Sequence, residues 1–365
     1  MRTQTIAVPC VLMRAGTSRG PFFLGSDLPS DPGSRDEVLI SAMGSGHELQ
    51  IDGIGGGNPL TSKVAIVSPS QRPDADVDYL FAQVKVEDRK VDTSPNCGNM
   101  LSGVGPFAID RGLVRAQDGV TTVRIRNVNT GKLVDAVVTT PGARVAYDGN
   151  CWIDGVPEPA APVKLRFLDA AGSKTGKLLP TDNVVDLVDG VPVTCIDAAI
   201  PLVIVRASDV GKKGTEAPVD LDSDCAFMSR LDALRIKAGA LMGLGDVRNL
   251  VIPKPVIVAP GQAGGDLSAR YFMPHATHKA FAVTGAVGLA TACATPGTIP
   301  NLLLGEKATQ ERIAIEHPTG RIELALSVDE TSGLPAASLL RTVRKIFEGN
   351  IYARVSGTLE TACHA

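Results

Sequence analysis

A disulfide or zinc framework is missing from this 365-residue chain: Cys10, Cys97, Cys151, Cys195, Cys225, Cys293 and Cys363 stand singly, with no C-x-x-C pair. Scattered cysteines of odd total suit reduced thiols. An excess of charge of one sign is also missing. A formal net charge of −3 provides no general field for nucleic acid or an anionic membrane, so any anionic ligand must be caught locally. No run approaches the length of about 18 apolar residues needed to span a bilayer, and the opening MRTQTIAVPCVLMRAGTS lacks the apolar core of a signal peptide. The expectation is a cytoplasmic protein that takes neither nucleic acid nor membrane as partner. Low-complexity tracts, heptads and charge blocks are absent as well.

What is present is 44% hydrophobic residues, ordinary for a globular protein, on a length that favours two domains. The first half reads as β-branched runs broken by Gly, Pro and Asp: Ile6 to Met13, Ser62 to Val67, Tyr79 to Val86, Val120 to Asn127 and Leu133 to Thr139. A single helical pattern, Gly98 followed by MLSGVGPFAIDRGL, interrupts them. The polar stretch between about Leu165 and Asp186 reads as a linker, giving domains 1–185 and 186–365. The second half predicts helices over 232–243, 283–294 and 336–347, strands over 251–258 and 269–273, and two strands joined by the Pro-Thr-Gly turn in ERIAIEHPTGRIELALSV. Each half thus pairs several strands with one apolar helix that starts on small polar residues, NCGNM and VTGAV. No sequence repeat links them, only a parallel α+β plan.

Chemistry concentrates in few places. In GIGGGNPLTSKVAIV, glycines expose backbone amides to which a carboxylate or phosphate could come close, with Gly56 at the centre. The spacing fits neither the P-loop nor the dinucleotide fingerprint. Lys63 stands at the mouth of the following strand, on one face with Ala65 and Val67. A lysine desolvated there loses proton affinity and becomes a usable base; the bland alternative is a snorkelling strand-end lysine. Cys97, flanked by Asn96, Gly98 and Asn99, opens the first apolar helix, where a thiolate is stabilised. The other cysteines read as small buried hydrophobes. Gly16-Thr-Ser-Arg-Gly20 matches the serine nucleophile elbow in letters, but the extended PFFLGSDLP follows it instead of a helix. The string reads better as a turn offering Thr17, Ser18 and amides to a carboxylate near Arg14. His275 and His278 lack a third ligand at metal spacing.

The strings MRAGTSRG, QIDGIGGGNPLTSKVAIV, DVDYLFAQV, NCGNMLSGVGPFAIDRGLV and HKAFAVTGAVGLATACATPGT resemble the PrpF family across most of the chain, from about Pro9 to Tyr352. The resemblance implies a diaminopimelate epimerase-like fold, two similar domains each wrapping strands around a central helix, with the active site in the interdomain cleft and the last strand free to return to the first domain. It implies no cofactor and no metal, a small polycarboxylate as partner, and leaves a homodimer open. The implied activity is a 1,3-proton shift on 4-oxalomesaconate in gallate and protocatechuate catabolism, with 2-methylaconitate as the alternative substrate and a non-catalytic carboxylate-binding module as the alternative class. Lys63 is then general base and Cys97 its support. Arg14, Thr17, Ser18, Gly56, Ser62, Asn96 and His278 would bind carboxylates, with the amides of Gly98, Asn99, Thr284 and Gly285. The epimerases of this fold carry a second cysteine at the second helix; here Ala282-Val283-Thr284-Gly285 stands there, so two-faced racemisation is not expected. Arg19 replaces a lysine of the family pattern, which an arginine cannot match as a base.

Overall fold

The β-branched runs of the first half fold as strands, and chain reversals at Gly and Asn turn them into one mixed sheet. The computed structural model describes residues 3–168, 170–274, 276–328 and 333–356. Contacts divide the chain into unit 1, Met1–Arg166 with Arg341–Ala365, and unit 2, Phe167–Leu340.

Unit 1 opens with β1 (Thr3–Ala15) and β2 (Ser18–Leu24), antiparallel, with Ala15 opposite Ser18. Gly16 makes this tight turn at φ +55°, a backbone that glycine adopts without strain. Helix α1 (Pro32–Met43) follows, capped by the Asp31 carboxylate, which accepts from Ser34 N at 2.8 Å, and closed by left-handed Gly44. Strand β3 (Lys63–Pro69) pairs parallel with β2 and antiparallel with β4 (Val77–Val84), beside which lies the short β5 (Val91–Asp92). After α2 (Gly98–Leu101) and α3 (Val104–Asp110), β6 (Gly119–Asn127) pairs parallel with β4 and antiparallel with β7 (Leu133–Thr140). Strand β8 (Pro162–Phe167) ends the segment. Alternation sends Val64, Ile66, Ala82 and Val84 to the layer of Val38, Leu39 and Met43 on α1. The opposite face carries α2 and α3, with Phe22 and Phe107 rings 5.7 Å apart. Truncating either buried ring to Ala would cost about 3–5 kcal/mol.

Unit 2 runs β9 (Asp186–Val188), β10 (Val191–Ala198), β11 (Ile200–Arg206), α4 (Pro218–Ser223), α5 (Cys225–Leu241), β12 (Lys254–Pro260), β13 (Leu267–Met273), β14 (Ala276–Thr277), α6 (Val283–Ala294), α7 (Ile299–Leu304), β15 (Arg312–His317) and β16 (Gly320–Val328). The last strand, β17 (Pro335–Ser356), pairs first with β16, Leu324 opposite Leu339, and then with β1, Ala15 opposite Val343. Helix α5 covers one face of the sheet, where Leu231, Leu234 and Ala238 meet Val205, Ile257 and Phe272. Helix α6 covers the other, and Gly288 lets it approach Leu202: a Cβ there would lie 2.7 Å from Leu202 Cδ1.

The two units share one wiring. In unit 1, β1, β2, β3, β4, β6 and β7 pair as antiparallel, parallel, antiparallel, parallel, antiparallel; β10, β11, β12, β13, β15 and β16 do the same in unit 2. The likeness reaches the residues, correcting the expectation of no repeat. KVAIVSP in β3 and KPVIVAP in β12 share Lys63 with Lys254, Ile66 with Ile257, Val67 with Val258 and Pro69 with Pro260.

Further corrections follow. The stretch 336–347 is strand, not helix: residues 337–343 are continuously buried, and a buried run without alternation does not distinguish the two by periodicity. The polar stretch after Phe167 belongs to unit 2 instead of linking, because the buried Asp197 carboxylate accepts from Lys174 N, Thr175 N, Ser173 Oγ and Thr175 Oγ1. The boundary falls at Arg166/Phe167, not at 185/186. Among the described residues no single helix is long and apolar enough to cross a membrane.

Candidate active site

Lys63 occupies the first position of β3, half-buried, opposite Gln83 on β4. Its Nζ donates to Gln83 Oε1 at 2.8 Å and lies 5.2 Å from the centroid of the Phe81 ring. Gln83 is itself oriented, since its Nε2 donates to the carbonyls of Ser62 at 2.9 Å and Pro59 at 3.1 Å. Among the described residues Lys63 has no carboxylate partner.

The glycine-rich loop before it serves packing. Gln50 sits buried beneath, accepting from Gly57 N at 3.0 Å and Ser62 Oγ at 2.6 Å. A Cβ on Gly55 would fall 2.2 Å from Gln50 Oε1. Ser62, fully buried, also donates to Asn58 O, so its hydroxyl is consumed in holding the loop. Gly56 is exposed and leaves room for Arg19, whose Nη2 would be 2.7 Å from a Cβ.

Cys97 is the N-cap of α2, a half-buried free thiol. Its carbonyl accepts from Leu101 N at 3.0 Å and from the buried Tyr79 hydroxyl at 3.3 Å. The expected long helix is broken: Pro106 has no N–H for Ser102 O, and Gly103 admits Phe22, whose Cζ lies 2.5 Å from a would-be Cβ. The dipole behind Cys97 is therefore that of a single turn. A cation lies near it. The buried Arg341 guanidinium donates from Nε to Asn99 Oδ1 at 2.9 Å, and Asn99 Nδ2 donates to Thr17 Oγ1 at 2.9 Å. Burial pushes Arg341 down to about 10, opposed by the nearby Cys97 and Cys151. Gly16 makes room for this cluster, since a Cβ would stand 2.3 Å from Asn99 Oδ1.

Lys63 and Cys97 share a face of unit 1. Tyr79, Phe81 and Gln83 alternate onto one side of β4; Gln83 and Phe81 hold Lys63, and Tyr79 holds Cys97. Met100 of α2 packs at Gly20, against which the Lys63 carbonyl lies. With them stand Thr17, Gly98 and Asn99.

Other candidates are engaged elsewhere. Arg14 Nη1 donates to Thr342 Oγ1 at 2.8 Å and to the carbonyls of Thr342 and Gly16, tying β1 to β17. Asn96 accepts from Asn127 Nδ2 at 2.7 Å. Ser18 is buried, its Oγ without a partner among the described residues. His278, Thr284 and Gly285 lie in unit 2, where the His278 ring meets Tyr271 edge-on at 5.9 Å and a Cβ on Gly285 would fall 2.3 Å from Tyr271 Cε2. Burial holds His278 below the usual histidine range, and its Nδ1 accepts from Ala280 N. His275 and Cys363 lie outside the described residues. Burial raises the Cys10 thiol to about 11 and Cys195 to about 12, and also raises Cys293. No group of three or more His, Cys, Asp or Glu among the described residues is placed to hold a metal. Sequence reasoning missed Gln83 and Arg341. The alternation in YLFAQV signalled Gln83, whereas Arg341 lay within the run misread as helix.

The family model described as PrpF protein matches residues 5–354. The chain is 56% identical over 346 residues to the Escherichia coli (strain K12) protein named "Putative isomerase YbhH", covering 94% of this chain and 99% of that one. It is 47% identical over 347 residues to the (4E)-oxalomesaconate Delta-isomerase of Novosphingobium sp. (strain KA1), covering 95% and 97%. A crystal structure of methylitaconate-delta-isomerase matches with a TM-score of 0.84 at 38% identity, covering 98% of this chain and all of the other.

Proposed function

We propose, since the chain belongs to the PrpF family and is an isomerase, that it carries out a cofactor-independent 1,3-proton shift on 4-oxalomesaconate, with Lys63 as base and Cys97 in support. The observation that carries this reading is the setting of Lys63: an amine held by a neutral amide, without a carboxylate partner among the described residues, on the face that also bears Cys97. In the proposed step Lys63 takes a proton from the carbon next to the unsaturated keto acid system. The C–H electron pair becomes a new double bond and charge moves to oxygen. A proton, returned by Lys63 or by the Cys97 thiol, then completes the shift, so no electrons leave the substrate.

Arg341, Asn99 and Thr17 suit a carboxylate of the substrate, because a guanidinium fixed by a side-chain amide offers a directed, charge-assisted grip. The 4-oxalomesaconate assignment draws on the 47% relative, against 38% for the methylitaconate enzyme. Separate incubations with 4-oxalomesaconate, 3-methylitaconate and 2-methylaconitate in deuterated water, followed by proton NMR, test it. The expected result is conversion of 4-oxalomesaconate with deuterium at the allylic carbon and no conversion of the methyl-substituted acids. Conversion of a methyl-substituted acid alone would overturn the substrate assignment.

A further inference from the structure

Gln83 spends its whole amide within unit 1. It stands opposite Lys63 in the register of β3 with β4, and its Oε1 accepts from Lys63 Nζ at 2.8 Å. Its Nε2 donates to two main-chain carbonyls, of Ser62 at 2.9 Å and of Pro59 at 3.1 Å. Turning the amide over would lose both of these bonds and set Oε1 against two carbonyl oxygens, so only an acceptor can face the lysine. The carbonyls are held in turn. The single turn Pro59–Thr61 is capped by the Asn58 side chain, which accepts from Leu60 N at 2.8 Å, and Ser62 Oγ donates to Gln50 Oε1 and to Asn58 O.

We propose that Gln83 is a positioning residue for the base: its fixed oxygen takes one N–H of Lys63 and, having no hydrogen left to donate, leaves the lone pair of the amine free for the substrate proton. The assignment rests on the reading of Lys63 as base. A donor at this place would occupy the lone pair, and a carboxylate would pair with the ammonium and hold its proton. The Phe81 ring, 5.2 Å from Nζ, bounds the amine on a second side and brings neither.

Two observations separate this role from a purely structural one. The loop has other support, since Ser62 O also accepts from Val84 N at 3.0 Å and Pro59 is exposed, where water can replace the amide. The repeated scaffold does not require an amide either: Lys254, at the same place in unit 2, donates to Met273 Sδ at 3.5 Å. The charged and titratable groups around Lys63 are otherwise placed. Tyr79 and Cys97 are joined to each other, and Arg341 lies beside Cys97. Asp92, across from Gln83 on β5, accepts from Ser94 N at 2.9 Å and Ser94 Oγ at 2.6 Å. Arg19 turns its Nη2 toward Gly56, and Lys85 is exposed beyond β4.

The test uses the full chain and two readouts across pH: kcat and KM for 4-oxalomesaconate, and labelling of Lys63 by trinitrobenzenesulfonate followed by peptide mass, which needs no turnover. Gln83→Glu is expected to move the midpoint of labelling, and with it the acid limb of kcat, upward by about one pH unit or more relative to wild type, the effect of an opposite charge in contact. Above that limb its turnover should return toward wild type, because an acceptor is still in place. Gln83→Met should lower kcat roughly 10- to 100-fold at nearly unchanged KM, the scale of a misplaced catalytic group, with a melting temperature close to wild type. Where Gln83→Met loses stability, the labelling of Gln83→Glu decides. An unmoved midpoint in Gln83→Glu, or a stable Gln83→Met with kcat within about twofold of wild type or with KM raised instead, would overturn the positioning role alone if Lys63→Met has lost turnover. Turnover that survives in Lys63→Met would overturn the base, and the positioning role with it.

Discussion

Units 1 and 2 start the same strand with the same lysine and surround it differently. Lys63 is half-buried, held by the Gln83 amide, and shares its face with Cys97 and the Arg341–Asn99–Thr17 cluster. Lys254 is buried beneath a thioether, and alanine stands where the thiol would be. One scaffold thus gives an ammonium two settings. Lys63 is held by a strong acceptor on a polar face, Lys254 by a weak one under cover. The duplicated wiring explains why a lysine sits at both places. The two units differ around it: Gln83 in unit 1 stands where unit 2 has Met273, and Cys97 where unit 2 has Ala282.

Substitutions that make one unit resemble the other test this difference. The largest effect is expected from Lys63→Met, which should lower kcat by about 1,000-fold, within the range for removing a general base, with a melting temperature close to wild type. Cys97→Ala, which gives unit 1 the N-cap residue of unit 2, should lower kcat by roughly 10- to 100-fold, because the thiol supports the base and does not replace it. Steady-state kinetics at saturating substrate would show a loss equal to that of Lys63→Met if the two acted as an inseparable pair. Arg341→Met should raise KM by about tenfold with a smaller change in kcat, as expected for loss of a carboxylate grip. Arg341→Lys should recover only part of it, since a lysine cannot reproduce the fork that engages Asn99.

The sequence made the strands of unit 1 and the α6 helix readable, because alternation and an alanine-rich run have few competing interpretations. Lys63 and Cys97 were legible as candidates from their neighbours. Their common face was not, as it depends on β4 pairing with β3 in a register that places Gln83 beside Lys63 and Tyr79 under Cys97. Arg341 was hidden by burial on both faces of β17, which erases the alternation that marks a strand. Arg14 and Ser62 illustrate the converse: each polar group suited a carboxylate by type, yet each is consumed by backbone or loop partners that only the fold brings near. The resemblance of KVAIVSP to KPVIVAP was visible in the letters. Its meaning emerged only when both segments proved to be the same strand of a repeated sheet.

The role of Lys63 as base is tested most directly by measuring kcat and KM for 4-oxalomesaconate in Lys63→Met and Arg341→Met side by side. The expected result is a collapse of kcat in the first, and in the second a KM raised about tenfold with kcat within a few-fold of wild type. The same pattern in both variants, or the reverse assignment, would contradict it.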